Sequence, residues 1–285
     1  MSKIAIIGSG QVGTATGMGL MQMGHQVIFY DIDQKRVGEL TKQGLIASDN
    51  LEHAIRQSDV SFICVPTPYN EGIDLRYVVA AVKQIAKVLS TKWHLVVVKS
   101  TVIPLTTEKV LLPILEASGA KFGLCMNPEF LTEIASTWTD DLRYQRDFWA
   151  KERIVIGELG KKSGDVLEEI YKPLGAPIFR TDLRTAEMLK YATNMMLATK
   201  ISYWNELFLV CKELGIDSQL VADVTALDTR IGKYGTVHGR AFGGKCLSKD
   251  LSAFVKFAEK YHVPKLLNDV WAVNDYMARE YGVRE

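Results

Sequence analysis

The reactive side chains of this chain concentrate in one stretch, FGGKCLSKD, at residues 242–250. It places Cys246, Lys249 and Asp250 within five positions, one residue after two glycines that let a ligand approach the backbone closely. An apolar run with helical spacing begins at Leu251, which predicts that Cys246 lies at or just before a helix N-terminus. Free N–H groups and the helix dipole stabilise a thiolate there. For an isolated cysteine, however, a buried packing role is the commoner outcome.

A second set of polar residues follows predicted strands. Thr67, Thr101, Glu129 and Glu133 come just after the apolar runs at 60–65, 94–99 and 122–126. In an open parallel sheet, ligands bind beyond the carboxyl ends of the strands. Each threonine taken singly is equally well explained as a helix cap. Their shared location at one sheet edge favours a site.

A third set lies on one predicted helix. Residues 182–215 contain no proline and no internal glycine, and Thr181 or Asp182 is expected to cap a single helix that Gly215 ends. Its apolar residues cover more than one face, so it should pack between domains or subunits. Along it, Glu187, Lys190 and Asn194 stand on one face. The alternative is an ordinary solvated polar stripe.

The N-terminus carries a dinucleotide pattern. Residues 8–13 read G-x-G-x-x-G between a predicted strand at 3–7 and a helix, and Asp31 follows 18 positions later at the end of the next strand. The glycines bring backbone N–H groups to a pyrophosphate, and the aspartate accepts hydrogen bonds from ribose hydroxyls. Because its charge would repel a 2′-phosphate, NAD is predicted over NADP, although Lys35 and Arg36 lie nearby.

These elements predict an α/β protein with two domains. Residues 1–180 should form a Rossmann-type, doubly wound parallel sheet, whose last strands are expected at 154–156 and 177–179. Residues 181–285 should form an all-helical central domain built on the long helix, with further helices at 249–261 and 264–281. Asn205 and Glu206 are expected to face a partner helix.

Composition excludes several classes. The chain has 34 basic and 33 acidic residues among its 285, and no basic stripe, so nucleic acid is not an expected partner. Four scattered cysteines and five histidines show no disulfide or metal spacing. A strand begins at Lys3 and the apolar runs are short, which predicts a cytoplasmic protein without a signal peptide or membrane span. Trp138 and Trp149 in the irregular loop 136–151 should be covered by something.

Together these motifs resemble the nucleotide-sugar dehydrogenases, that is, UDP-glucose 6-dehydrogenase and its GDP-mannose relatives. The resemblance covers almost the whole chain. Beyond the glycine turn and Asp31, it rests on the stretches VPTP (65–68), KSTV (99–102), NPEFL (127–131), TAE (185–187), NE (205–206), RIG (230–232) and FGGKC (242–246), with Glu133, Lys190, Asn194, Lys249 and Asp250.

The resemblance implies oxidation of a primary alcohol to a carboxylate, with two NAD consumed in turn. Cys246 would attack an aldehyde-level intermediate, and a second hydride transfer would give a thioester that water hydrolyses. Lys190 would stabilise oxyanion charge or serve in acid–base work, with Asn194 as a second donor. Asp250 and Thr101 would position a water, and Glu129 would be the general base.

The resemblance also implies binding residues. For NAD these are Gly8, Gly10, Gln11, Val12, Gly13, Asp31, Arg36, Thr67, Thr101 and Glu133. For the nucleotide sugar they are Glu129, Phe130, Leu131, Lys190, Asn194, Arg230, Phe242 and Gly243. Arg230 would reach its substrate across a homodimer built on the helix at 182–215.

The chain also departs from the family pattern. Relatives usually continue into a C-terminal nucleotide-binding domain, whereas this sequence stops at Glu285. Val237 stands where a lysine is common, Lys245 where a small residue is usual, and Leu105 and Ile134 where glycines are expected. These departures suggest a different or smaller substrate, or a separate chain that supplies the domain. Two alternatives therefore stay open: a two-electron hydroxyacid dehydrogenase, and a non-catalytic subunit that partners a full-length paralogue.

Overall fold

The computed structural model describes residues 1–69, 72–130, 138–139, 147–149, 152–243, 246–262 and 265–284. The chain divides into two compact units. The first comprises Met1–Pro68, Ile73–Leu131 and Phe148–Lys190, and the second comprises Tyr69–Gly72, Thr132–Asp147 and Tyr191–Glu285. The predicted domain boundary at 180/181 stays a prediction.

The first unit is built on an eight-stranded sheet with the order β3-β2-β1-β4-β5-β6-β7-β8. Its strands are β1 (Lys3–Ile7), β2 (Gln26–Tyr30), β3 (Ala47–Ser48), β4 (Val60–Ile63), β5 (His94–Val98), β6 (Phe122–Met126), β7 (Ile154–Glu158) and β8 (Ile178–Thr181). Alternate β1 residues enter different cores: Ala5 and Ile7 one, Ile4 and Ile6 the other. Burial on both faces explains the nearly continuous apolar strand sequences.

The predicted α/β class with a doubly wound sheet is confirmed, with one correction to the strand directions. All neighbouring strands are parallel except β6 and β7, which pair antiparallel through Cys125 with Glu158 and Met126 with Gly157. An antiparallel neighbour begins at the same edge at which β6 ends, so the chain does not have to return across the sheet before β7.

Helices complete the first unit. They are α1 (Gln11–Gln22), α2 (Gln34–Lys42), α3 (Leu51–Arg56), α4 (Arg76–Val88), α5 (Leu112–Glu116) and α6 (Lys161–Tyr171). The helix after β5 begins as a π-helix, Thr107–Leu111. The Leu112 N–H bonds Thr107 O, five residues back. Pro113 follows and has no N–H with which to continue a regular α-helical ladder.

The second unit is mainly helical. It contains most of α7 (Leu183–Leu214), with α8 (Ser218–Thr225), β9 (Ala241–Phe242), α9 (Leu247–Ala258), α10 (Leu266–Tyr281) and β10 (Val283–Arg284). The long helix is confirmed. Asp182 caps it by accepting the Thr185 N–H at 2.8 Å, and Gly215 follows its end with φ +67°. Across the described ranges, no helix combines the length and apolar character needed to cross a membrane.

Two tryptophans of the loop at 136–151 differ in environment. Trp138 is buried and its carbonyl accepts the Gly235 N–H at 2.8 Å, which agrees with the expectation that it is covered. Trp149 is 49% exposed and contacts the ring of Phe148 edge-on. The covering expected for Trp149 is therefore not provided by the described part of this chain.

Candidate active site

The glycine turn between β1 and α1 has the geometry of an anion cradle. Gly8 has φ +92°, and its N–H bonds Tyr30 O at 2.9 Å. A Cβ at Gly13 would overlap the Gly8 carbonyl oxygen, so only glycine lets α1 start this close to the turn. Gly10 has no side chain to cap the helix, and a Cβ there would meet nothing within 4 Å. The first-turn N–H groups, including those of Gln11 and Val12, are therefore open to a phosphate.

Asp31 fixes the other end of this cradle. One carboxylate oxygen accepts the Ser9 N–H at 2.7 Å and the other accepts the Asp33 N–H at 3.1 Å. Arg36 donates from Nε to Ser9 O at 2.8 Å and from Nη2 to Thr14 Oγ1 at 2.9 Å. A held carboxylate and a guanidinium beside an open helix N-terminus fit the ribose and pyrophosphate of NAD.

The ends of β4 and β5 are tied together. Ser100 Oγ donates to Val65 O at 2.7 Å and to Ile63 O at 3.2 Å. These two bonds fix the segments that carry Thr67 and Thr101. Thr67 is buried and Thr101 is half-buried. Both threonines lie just beyond carboxyl ends of strands, as predicted.

Glu129 takes part in a buried ion pair. Lys99 Nζ lies 2.7 Å from Glu129 Oε2, and the two side chains are 1% and 8% exposed. The same ammonium donates to Asn127 Oδ1 at 3.0 Å, which also accepts the Tyr171 hydroxyl at 2.7 Å. Burial alone would lower the pKa of Lys99, but Glu129 and Tyr171 beside it raise that pKa above its ordinary value. Sequence reasoning assigned no role to Lys99, Asn127 or Tyr171.

Glu187, at the start of α7, anchors the loop after β5. Its carboxylate accepts the Leu105 N–H at 2.6 Å, the Thr107 N–H at 2.7 Å and the Thr107 hydroxyl at 2.6 Å. Burial raises the pKa of Glu187 to about 7, although these hydrogen bonds oppose the shift. One turn along, Lys190 is buried with its Nζ 5.4 Å from the centroid of the Phe130 ring. The solvated-stripe alternative is wrong for this face of the helix.

Cys246 is the N-cap of α9, as its sequence context predicted, and its side chain is exposed. Its carbonyl accepts the Asp250 N–H at 2.9 Å. Asp250 is 1% exposed and holds two partners: Asn194 Nδ2 donates to Oδ2 at 2.6 Å, and Lys249 Nζ lies 2.7 Å from Oδ1. The structure thus brings Cys246, Asp250 and Asn194 together within the second unit.

Other predicted residues have different surroundings. Arg230 is exposed and its guanidinium pairs with Asp228 at 2.6 Å, whereas Phe242 is buried and Gly243 half-buried. The expectation that Asn205 faces a partner helix is wrong. It is fully buried and its amide pairs with Gly239 N and Arg240 O, because a backbone turn of its own chain needs those partners. Leu131 and Glu133, for which binding roles were predicted, lie outside the described residues.

Comparison with known proteins identifies the family. The NAD-binding domain of the UDP-glucose/GDP-mannose dehydrogenase family matches residues 2–45 and 40–175, and the family's central domain matches residues 184–276. The chain belongs to the UDP-glucose/GDP-mannose dehydrogenase family. The predicted resemblance is confirmed, and the presence of the family's NAD-binding domain confirms NAD as the cofactor.

Individual members of the UDP-glucose/GDP-mannose dehydrogenase family show the extent of the match. UDP-glucose 6-dehydrogenase TuaD of Bacillus subtilis is 34% identical, over 96% of this chain and 63% of its own length. GDP-mannose 6-dehydrogenase of Pseudomonas putida is 36% identical, over 94% and 66%. A UDP-glucose dehydrogenase structure from Pyrobaculum islandicum has a TM-score of 0.87 and 35% identity, over 98% of this chain and 69% of that one. The chain therefore spans about two thirds of the length of these relatives.

The buried Lys99–Glu129 pair predicts a large, partner-dependent loss of stability. Lys99→Met should lower the free energy of unfolding by about 3–5 kcal/mol, because it leaves Glu129 buried without its counter-ion. Lys99→Met/Glu129→Gln should recover part of that loss in urea unfolding. Arg56→Met, which breaks the exposed Arg56–Glu52 pair, is the control and should cost less than about 1 kcal/mol. Equal losses for the single and double Lys99 variants would contradict this account.

The raised pKa of Glu187 predicts a pH-dependent stability. The folded-state pKa is about 7 against an ordinary value of 4.5, so the folded state binds the proton more tightly. The free energy of unfolding, relative to Glu187→Gln, should therefore fall between about pH 4.5 and 7 and level off above, by roughly 1–3 kcal/mol. Urea titrations of both proteins at pH 5 and pH 8 measure the difference. A pH-independent difference would show that the carboxylate is not destabilised by burial.

Proposed function

We propose that this chain oxidises the primary alcohol of a nucleotide sugar to a carboxylate, with two NAD used in succession and Cys246 as the covalent anchor. The observation that carries the proposal is Cys246 at the start of α9, with its carbonyl bonded to the N–H of a buried Asp250 that Asn194 holds. A helix N-terminus favours the thiolate that nucleophilic attack requires. Family membership and the NAD-type turn at residues 8–13 support the redox chemistry.

Each residue is assigned to a particular step of the reaction. Bound NAD would accept a hydride in each oxidation, and residues 8–13, Asp31 and Arg36 would hold it, together with Thr67, Thr101 and Glu133. In the first oxidation, the substrate hydroxyl gives up its proton, for which Lys190 is the acid–base group. The Cys246 thiolate then adds to the aldehyde carbon, and Lys190 and Asn194 stabilise the resulting oxyanion.

Loss of a hydride from the thiohemiacetal carbon leaves a thioester on Cys246. Asp250 and Thr101 orient a water, and Glu129 takes its proton as the water attacks the thioester carbon. The C–S bond breaks, which frees the carboxylate and the thiolate. Because the aldehyde stays attached between the two oxidations, it cannot escape.

The substrate is proposed only as a class of compound. Relatives named for UDP-glucose and for GDP-mannose match this chain equally well, so we propose a nucleotide sugar without choosing the base. Glu129, Phe130, Leu131, Arg230, Phe242 and Gly243 would contact it. Exposed Met196, Tyr203 and Val210 recur every seven residues along α7, which supports a homodimer through this helix. The cytoplasmic location stays a prediction.

NADH stoichiometry tests the proposal. With excess NAD and a panel of UDP- and GDP-sugars, the wild type should form two NADH and one carboxylate per sugar. Cys246→Ala should lose formation of the acid by about a thousandfold or more, because the covalent step has no nucleophile. Cys211→Ala, which changes a buried cysteine of α7, is the matched control and should retain both NADH.

Each result that differs from these expectations leads to a different conclusion. One NADH per substrate would support the two-electron alternative and contradict the covalent mechanism. Acid formation at the wild-type rate by Cys246→Ala would contradict it as well. No turnover of any nucleotide sugar would overturn the substrate class and favour a subunit that acts with a paralogue.

A further inference from the structure

A side-chain amide of α10 holds the backbone just before the reactive stretch. Asn274 Oδ1 accepts the Phe242 N–H at 2.8 Å, and Asn274 Nδ2 donates to Phe242 O at 3.1 Å. Asn274 is 6% exposed and Phe242 is 1% exposed. Both main-chain groups of Phe242 are thus satisfied by one carboxamide, as they would be by a neighbouring strand. The pair of bonds also defines which end of the amide is oxygen.

A second contact restrains the same residue. In a short parallel ladder, β10 places Arg284 beside Phe242 and Val283 beside Ala241. The Ala241 N–H also bonds Gly282 O at 3.1 Å. A Cβ at Gly243 would overlap the Val283 side chain. Gly243 is therefore packed closely against β10.

The restraint reaches the helix that begins at Cys246. Ser248 Oγ, in the first turn of α9, donates to Phe242 O at 3.4 Å. The Phe242 carbonyl thus joins α10, through Asn274, to the first turn of α9, through Ser248. Cys246 lies two residues before Ser248.

We propose that Asn274 is a positioning residue for Cys246: by holding the Phe242 backbone, it fixes the first turn of α9 and the direction in which the thiol points. The inference deepens the proposed function, because it concerns the nucleophile of that reaction. The stabilisation that a helix N-terminus gives a thiolate is confined to the first turn, so it depends on that turn being held in place. Loss of the Asn274 amide should reduce the stabilisation of the Cys246 thiolate and impair its alignment with a bound aldehyde.

Alkylation of Cys246 tests this without requiring turnover. The rate of reaction with iodoacetamide is followed by peptide mass spectrometry in wild type, Asn274→Ala, Ser248→Ala and Ser202→Ala. Ser202 is the matched control, because its buried hydroxyl bonds Val270 O, one turn earlier on the same α10, at 3.0 Å. Buried Cys125 and Cys211 report any general unfolding in the same sample.

Asn274→Ala should slow alkylation of Cys246 about threefold or more and lower kcat about tenfold, with KM for the sugar within about threefold. Ser202→Ala should leave all three within about twofold of wild type. A Cys246 alkylation rate and a kcat within twofold of wild type in Asn274→Ala would overturn the proposal.

The remaining outcomes are also decisive. If Asn274→Ala exposes Cys125 as well, Ser248→Ala decides: slower alkylation of Cys246 supports the proposal, and an unchanged rate overturns it. If Asn274→Ala slows alkylation but the wild type oxidises no nucleotide sugar, the positioning role stands and the proposed function fails.

Discussion

A carboxyl group buried one helical turn from Cys246 is the constraint on which the second unit depends. Asp250 is 1% exposed, and a buried carboxylate is costly unless hydrogen bonds or a counter-ion replace water. Asn194 Nδ2 and Lys249 Nζ supply these replacements at 2.6 and 2.7 Å. Because Asn194 lies on α7 and Asp250 on α9, meeting this requirement also fixes the helix that begins at Cys246. The contacts that replace water around the Asp250 carboxylate therefore also hold α9 in place.

The first unit meets a similar requirement at the end of its sheet. Lys99 and Glu129 follow β5 and β6, and each would be costly to bury alone. Their pairing brings a carboxylate to the edge where parallel sheets bind ligands. Asn127 and Tyr171 complete the hydrogen bonds of the ammonium. A network of this kind holds Glu129 in one place, which suits the general-base role proposed for it.

Sequence reasoning succeeded where the chemistry is local. The glycine turn, Asp31, and Cys246 at the start of α9 depend on residues close together in the chain, so spacing alone predicted them. Partners that are distant in sequence escaped it. Glu187 was placed on the correct helix face, but its donors Leu105 and Thr107 lie about 80 residues away. The role of Asn274 has no sequence signal, because an asparagine that bonds the backbone of another segment looks the same in an amphipathic helix as one that faces solvent.

The structure shows how the chain accommodates Leu105, a departure from the family pattern. Glycine is expected there, and the residue has φ +77°, a conformation that costs a side-chain-bearing residue about 1–2 kcal/mol. The short bond from its N–H to Glu187 helps to hold it there. Leu105 thus adopts a backbone conformation typical of glycine.

The central claim is that Cys246 carries the substrate through the second oxidation. Rapid quenching of Glu129→Gln during turnover, followed by mass analysis of the Cys246 peptide, tests it most directly. Since this variant should slow hydrolysis of the thioester, we expect a sugar-acyl adduct on Cys246 that accumulates and then decays as acid appears. Acid formation with no adduct on Cys246, or with an adduct on another residue, would contradict the account.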